Sequence, residues 1–198
     1  TLRVATDIGG TFTDLVAVDD QGKTILTKSH ITPPNFEEGV IRVIEKSGVR
    51  PEEIEDFIHG TTTIINALTE RKGAKTGLIT TKGFRDVLEI ARCNRPDLFN
   101  MVFAKPRPFI PRYLRREVSE RVSYDGKGVT PLAEEDIRAA VEYFKKEQVE
   151  AIAVCYINSY ANDEHEKRTV ELVRRLGPEV FVTSSIEVTK EWREYERT

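Results

Sequence analysis

An α/β fold with a mixed sheet, antiparallel at its start and parallel afterwards, is predicted by three observations. The first is an opening hairpin pattern, in which a β-rich run from Leu2 ends in Asp7, passes through Gly9, Gly10, Thr11 and Thr13, and re-enters a second apolar run to Asp19. The second is the alternation of short apolar runs with helical patterns beyond residue 35, the arrangement that builds βαβ units. The third is composition: 198 residues, 39% hydrophobic and 32% charged, are enough to bury a core in one large domain or two small ones. No internal repeat or low-complexity linker interrupts the pattern, and a soft boundary is expected near residues 93–112.

After the hairpin, residues 23–29 read as a third strand with Lys and Thr turned outward, stopped by Pro33-Pro34. Asn35 with Glu38 has the spacing of a capping box, Val40, Ile41, Val43 and Ile44 form a stripe, and Gly48 closes that helix in the left-handed conformation. A short strand at residues 56–59 delivers Gly60 and three threonines to a helix from about Thr62 to Arg71. Residues 76–81 form a buried strand, and a further helix begins at residues 83–90. Prolines at 96, 106, 108 and 111 forbid long regular structure in the arginine-rich stretch that follows. Residues 114–124 alternate apolar with charged and meet Asp125-Gly126, predicting a solvated strand pair. A helix with Ile137, Ala140, Val141 and Phe144 on one face, a strand at 149–157, a helix at 163–176 and a strand at 180–184 complete the chain.

The chemistry-bearing segment is the hairpin tip. Glycines let backbone take positive φ and approach a ligand closely, so that successive N–H groups of Gly9, Gly10 and Thr11 converge on an anion. Thr11 and Thr13 add hydroxyl donors, and Asp7 and Asp14 offer hard oxygens to a magnesium ion on a phosphate chain. Gly-Gly between alternating runs is also a plain turn signal. The flanking carboxylates favour the phosphate reading, because like charges there repel unless a cation bridges them. Thr61 and Thr62 open a helix, where N–H groups and the helix dipole attract anions; capping alone is the plainer account. Arg92 and Arg95 follow a helix that should end near the cleft and are the substrate candidates. His59 carries no assigned role.

The net charge of −3 and the absence of a Lys/Arg-dense run exclude nucleic acid or an anionic membrane as an expected partner. Cys93 and Cys155 lack zinc or disulfide spacing and suit a reducing cytosol. No apolar run spans a bilayer. A cytoplasmic protein is expected.

The tip resembles the start of the hydantoinase/oxoprolinase family. So do His59-Gly60-Thr61-Thr62-Thr63, Asn66-Ala67-Leu68, residues 70–86 and the tail Arg193-Glu194-Tyr195-Glu196-Arg197-Thr198. The resemblance covers essentially the whole chain. It implies an actin-like or sugar-kinase-like (ribonuclease H-like) ATPase lobe, ATP and Mg2+ as cofactors, and a cyclic amide or imide as substrate. Within it, Asp7 and Thr11 are the catalytic candidates, Asp7 the metal ligand, and Gly9, Gly10, Thr11, Thr13, Asp14, Thr61 and Thr62 the cofactor contacts. It also implies a C-terminal lobe of the same protein and a hydantoinase B-type subunit or domain as partners, this chain being the N-terminal portion. Alternatives are a subunit of an ATP-dependent ketone carboxylase and a nucleotide-gated module whose partner does the chemistry. The chain departs from the family at Asn158, where a histidine is usual, and at Asp163, where a proline is, which puts that loop's family role in doubt.

Overall fold

The computed structural model describes residues 1–94 and 97–198, and the chain divides into two compact units, Thr1–Gly73 and Ala74–Thr198. The expected soft boundary at residues 93–112 therefore lies inside the second unit.

In the first unit β1 (Leu2–Ile8) and β2 (Phe12–Asp19) pair antiparallel, with Asp7 opposite Asp14 and Ile8 opposite Thr13. β3 (Thr24–His30) extends the sheet antiparallel to β2, and β4 (Ile54–Thr61) lies parallel to β1, giving the order β3-β2-β1-β4. Alternation along β1 and β2 puts Val4, Leu15 and Ala17 on one face, where α1 (Phe36–Ser47) buries Val43 against them. Ile41, expected in that stripe, is exposed instead, because Gly39 and Val43 are the residues turned to the sheet. Gly48 closes α1 at φ 73°, as its position predicts. The Asn35 side chain caps no backbone N–H; its amide donates to Glu38 Oε1 at 3.2 Å. On the opposite face Ile58, Ala5, Val16 and Leu26 align in register across all four strands. α2 (Thr63–Glu70) follows β4 and has no buried residue.

The second unit holds a separate, wholly parallel sheet, β10-β9-β5-β6, from β5 (Thr76–Thr81), β6 (Arg115–Val118), β9 (Ala151–Cys155) and β10 (Phe181–Ser184). The single mixed sheet expected from the alternation is thus divided: antiparallel pairing stays in the first sheet and consecutive parallel strands form their own. Residues 114–124 are likewise divided. β6 joins the parallel sheet with Arg115 and Val118 buried, while β7 (Arg121–Val122) and β8 (Gly128–Thr130) alone form the ribbon around Asp125-Gly126. Between β5 and β6 lies the short α3 (Val87–Ile90).

α4 (Glu134–Lys146) and α5 (Glu164–Leu176) cover the parallel sheet. Ile137, Ala140, Val141 and Phe144 are all buried, so the helical period in the sequence identified this face correctly. Two short helices, α6 (Ser185–Val188) and α7 (Glu194–Arg197), finish the chain. Among the described residues no helix is long and apolar enough to cross a membrane.

Candidate functional site

Parallel pairing brings the C-terminal ends of β1 and β4 together, the edge where open α/β sheets gather ligand-binding loops. Asp7 is opposite Gly60 and Ile8 opposite Thr61, so the hairpin tip and the start of α2 are neighbours. The junction is held on one carbonyl: the Thr62 N–H donates to Ile8 O at 2.9 Å, and the Thr61 hydroxyl donates to the same oxygen at 3.3 Å. Thr61 also shares a hydrogen bond with the Thr63 hydroxyl, 2.8 Å. These threonine hydroxyls therefore fasten α2 to the end of β1.

At the tip, the Gly9 N–H is used internally, donating to Phe12 O at 2.9 Å. The Gly10 and Thr11 N–H groups have no backbone partner among the described residues, and both residues are exposed. Neither Gly9 nor Gly10 has positive φ, contrary to expectation. Their smallness serves close approach instead. A Cβ at position 9 would lie 3.3 Å from Phe12 O, and one at position 10 would lie 3.0 Å from Asn66 Nδ2. A Cβ at Gly60 would meet Asp7 Oδ1 at 3.3 Å, so that glycine makes room for the carboxylate.

The two aspartates differ. Asp14 Oδ1 is paired with Lys28 Nζ at 3.1 Å, so the lysine already offsets its charge. Asp7 is exposed and joins no ion pair among the described residues. Thr13 falls on the α1 face, where its hydroxyl is buried without a partner among the described residues, close to Gly39. Alternation puts it opposite the face that carries Asp7 and Asp14, so its hydroxyl is turned away from an anion at the tip. His59 Nδ1 shares a hydrogen bond with Thr6 Oγ1, 2.9 Å. In the sequence Asn66 and Gly60 stand only as parts of motifs; their places beside Gly10 and Asp7 depend on β1–β4 register, which local patterning does not reveal.

The other expected residues lie in the second unit. Arg92 is ion-paired with Glu196 and lines a cleft of about 380 Å³ with Phe84, Val87, Ile90 and Tyr195. Arg95 lies outside the described residues. At the carboxyl edge of the parallel sheet the buried Glu166 accepts from Tyr156 N (2.9 Å), Ser185 Oγ (2.7 Å) and Ile186 N (3.2 Å). Arg197 reaches Ser185 Oγ (3.0 Å) and Tyr156 O (2.6 Å). That edge satisfies its own polar groups, and the tail motif serves to anchor it. Asn158 has φ 58°, a conformation asparagine tolerates, and its amide donates to Val122 O at 2.9 Å. Cys93 and Cys155 are free, and burial pushes the Cys155 thiol pKa up.

Taken with its architecture, this is a mixed α/β chain of the kind that forms an actin-like ATPase lobe. The chain belongs to the hydantoinase/oxoprolinase family, whose N-terminal region matches residues 3–177. It is 41% identical over 200 residues to an uncharacterised protein of Methanocaldococcus jannaschii, covering 99% of this chain and 29% of that protein. It is 38% identical over 206 residues to the caprolactamase subunit alpha of Pseudomonas jessenii, covering 99% and 30% respectively. The crystal structure of the ATP-dependent caprolactamase from that organism aligns with TM-score 0.81 at 37% identity. A nucleotide-free acetone carboxylase structure, described in terms of ATP-dependent acetone carboxylation, aligns with TM-score 0.87 at 27% identity over 99% of this chain and 30% of that one. The chain thus spans under a third of the length of these relatives.

Proposed function

We propose that this chain is the phosphate-binding portion of an ATP-dependent enzyme of the hydantoinase/5-oxoprolinase type, which opens a cyclic amide or imide by phosphorylating its carbonyl oxygen. The observation that carries this reading is the tip itself: the Gly10 and Thr11 N–H groups, without a backbone partner among the described residues, beside Asp7, which joins no ion pair among them, and the start of α2. An amide carbonyl is deactivated by resonance. Bound ATP would supply the activation: the carbonyl oxygen would attack the γ-phosphorus with loss of ADP, and water would add to the activated carbon. The ring C–N bond would break with the nitrogen leaving as the protonated amine, and the acyl phosphate so formed would be hydrolysed to carboxylate and phosphate.

The protein's share is positioning and charge neutralisation. The Gly10 and Thr11 amides and the Thr11 hydroxyl hold phosphate oxygens, and the α2 terminus at Thr61 and Thr62 adds positive potential. Gly9 shapes the tip. Among the described residues no group of three or more His, Cys, Asp or Glu could hold a metal. A lone carboxylate nevertheless fits magnesium, which keeps several waters and takes its remaining ligands from phosphate. Asp7 would hold that ion, while Asp14, opposite it in the sheet, is paired to Lys28.

The proposed partners are the later part of the longer polypeptide and a hydantoinase B-type subunit. Two features support the first: the bare in-register row with Leu26 at 74% and Ile58 at 65% exposure, and the exposed Ile64, Ile65 and Leu68 of α2. A ketone carboxylase subunit is the second reading, favoured by the acetone carboxylase alignment. Phosphate release by the full-length protein with hydantoin, 5-oxoproline, caprolactam and acetone separates the two. Release with a cyclic amide, lowered about 100-fold in Asp7→Asn, is expected. Release with acetone alone, or an Asp7→Asn protein of full activity, would overturn the proposal.

A further inference from the structure

The Asn66 carboxamide occupies the space directly over the hairpin tip. Its Nδ2 lies 3.0 Å from where a Cβ on residue 10 would sit, so a larger residue there would push the carboxamide aside. It stands on the first turn of α2, its backbone N–H donating to Thr62 O at 3.0 Å, and Thr62 is in turn fastened to Ile8. One of its amide hydrogens has a long bond to Thr62 Oγ1, 3.4 Å. An amide nitrogen carries two donors, and the second has no acceptor among the described residues. The Gly10 and Thr11 N–H groups of the tip are likewise donors without a backbone partner among the described residues. The second Asn66 amide hydrogen stands beside Gly10, whose N–H and that of the next residue, Thr11, lack a backbone partner among the described residues, an arrangement that an oxyanion completes.

We propose that Asn66 is a ligand-facing residue of this site, its carboxamide donating to the same phosphate oxygens that the Gly10 and Thr11 amides hold. This rests on the phosphate reading of the tip and extends it. A bound phosphate would then touch both the hairpin and α2, the helix that buries none of its own side chains. Ligand contact would supply the hold on α2 that packing does not. The ligand class is a phosphate oxyanion, and the β- and γ-phosphates of a nucleotide fit the description.

The test is calorimetric titration of the full-length protein and its variants with Mg-AMPPNP and, separately, with inorganic phosphate. Asn66→Ala removes the donor and is expected to weaken nucleotide binding about 10-fold. Asn66→Asp keeps the shape but sets a negative charge against phosphate, and about 100-fold weakening is expected. Gly10→Ala, which displaces the carboxamide, should fall with Asn66→Ala. Position 66 is partly exposed on a helix, so thermal unfolding of both Asn66 variants should match the parent. Should either variant unfold, the side-chain amide resonance of Asn66 in the unmodified protein decides the matter, since it must shift when Mg-AMPPNP is added. Binding by the parent together with unchanged binding by Asn66→Asp, or an unmoved amide resonance, would overturn the role of Asn66 alone. A parent protein that binds neither nucleotide nor phosphate would overturn the phosphate reading itself.

Discussion

Gly77 and Gly10 are both glycines for lack of room, yet a methyl group added at each meets a different neighbour. At Gly77 a Cβ would lie 2.7 Å from the Phe144 ring, which is itself buried between α4 and β5. The ring has nowhere to go, so Gly77→Ala overpacks the core and should cost about 1–3 kcal/mol, read as a lowered urea midpoint. At Gly10 the neighbour is the end of one partly exposed side chain. Gly10→Ala should therefore change stability by less than about 0.5 kcal/mol, as surface substitutions do, and register only in ligand binding. Local sequence identified the tip but attached the wrong reason to it, since Gly-Gly between strands suggests positive φ whereas these glycines are needed for contact with residues 12 and 66. Thr13 shows the same limit: its face follows from strand alternation, which was legible, but what α1 places against it was not.

At the scale of elements, α4 was the most legible and also carries a pH dependence. Its first turn supplies Asp136, whose carboxylate accepts the Ser119 N–H at 2.9 Å. That bond holds the Asp136 pKa below its ordinary 3.8. A carboxyl depressed in the folded state adds stability that is complete above the ordinary carboxylate range and is lost as pH falls through the depressed value. Asp136→Asn should therefore be less stable by about 1 kcal/mol at neutral pH. Its deficit should shrink below about pH 4, where the parent carboxyl begins to take up its proton. A constant deficit from pH 7 to pH 2 in urea unfolding would contradict that origin. β6 was the least legible element. Arg115, read as solvated, is buried with its guanidinium donating to Ile110 O at 2.7 and 2.9 Å and to Glu89 at 3.0 Å. An arginine can hide in a strand when a loop carbonyl receives it, and that carbonyl, Ile110 O, lies in the proline-rich stretch, which gave no regular pattern to read.

At the scale of the whole chain, strand–helix alternation conveys fold class but not how strands are shared between sheets, because pairing is decided by contacts remote in sequence. β5 lies beside β6, β9 and, through β9, β10, and nothing in residues 76–81 excludes the first sheet instead. That division has a consequence for stability. Among the described residues the second unit gathers 18 buried apolar residues into one cluster, whereas the first gathers five. A segment of this size with so small a core is marginal on its own, and the bare row through Leu26 and Ile58 on its second face adds nothing to burial. Ala74–Thr198 expressed alone should unfold cooperatively in urea, with dispersed methyl resonances from the cluster around Phe144. Thr1–Gly73 expressed alone should show collapsed amide dispersion and no sharp transition. The reverse pattern would mean that the first sheet draws its stability from within, and that the uncovered row needs no partner.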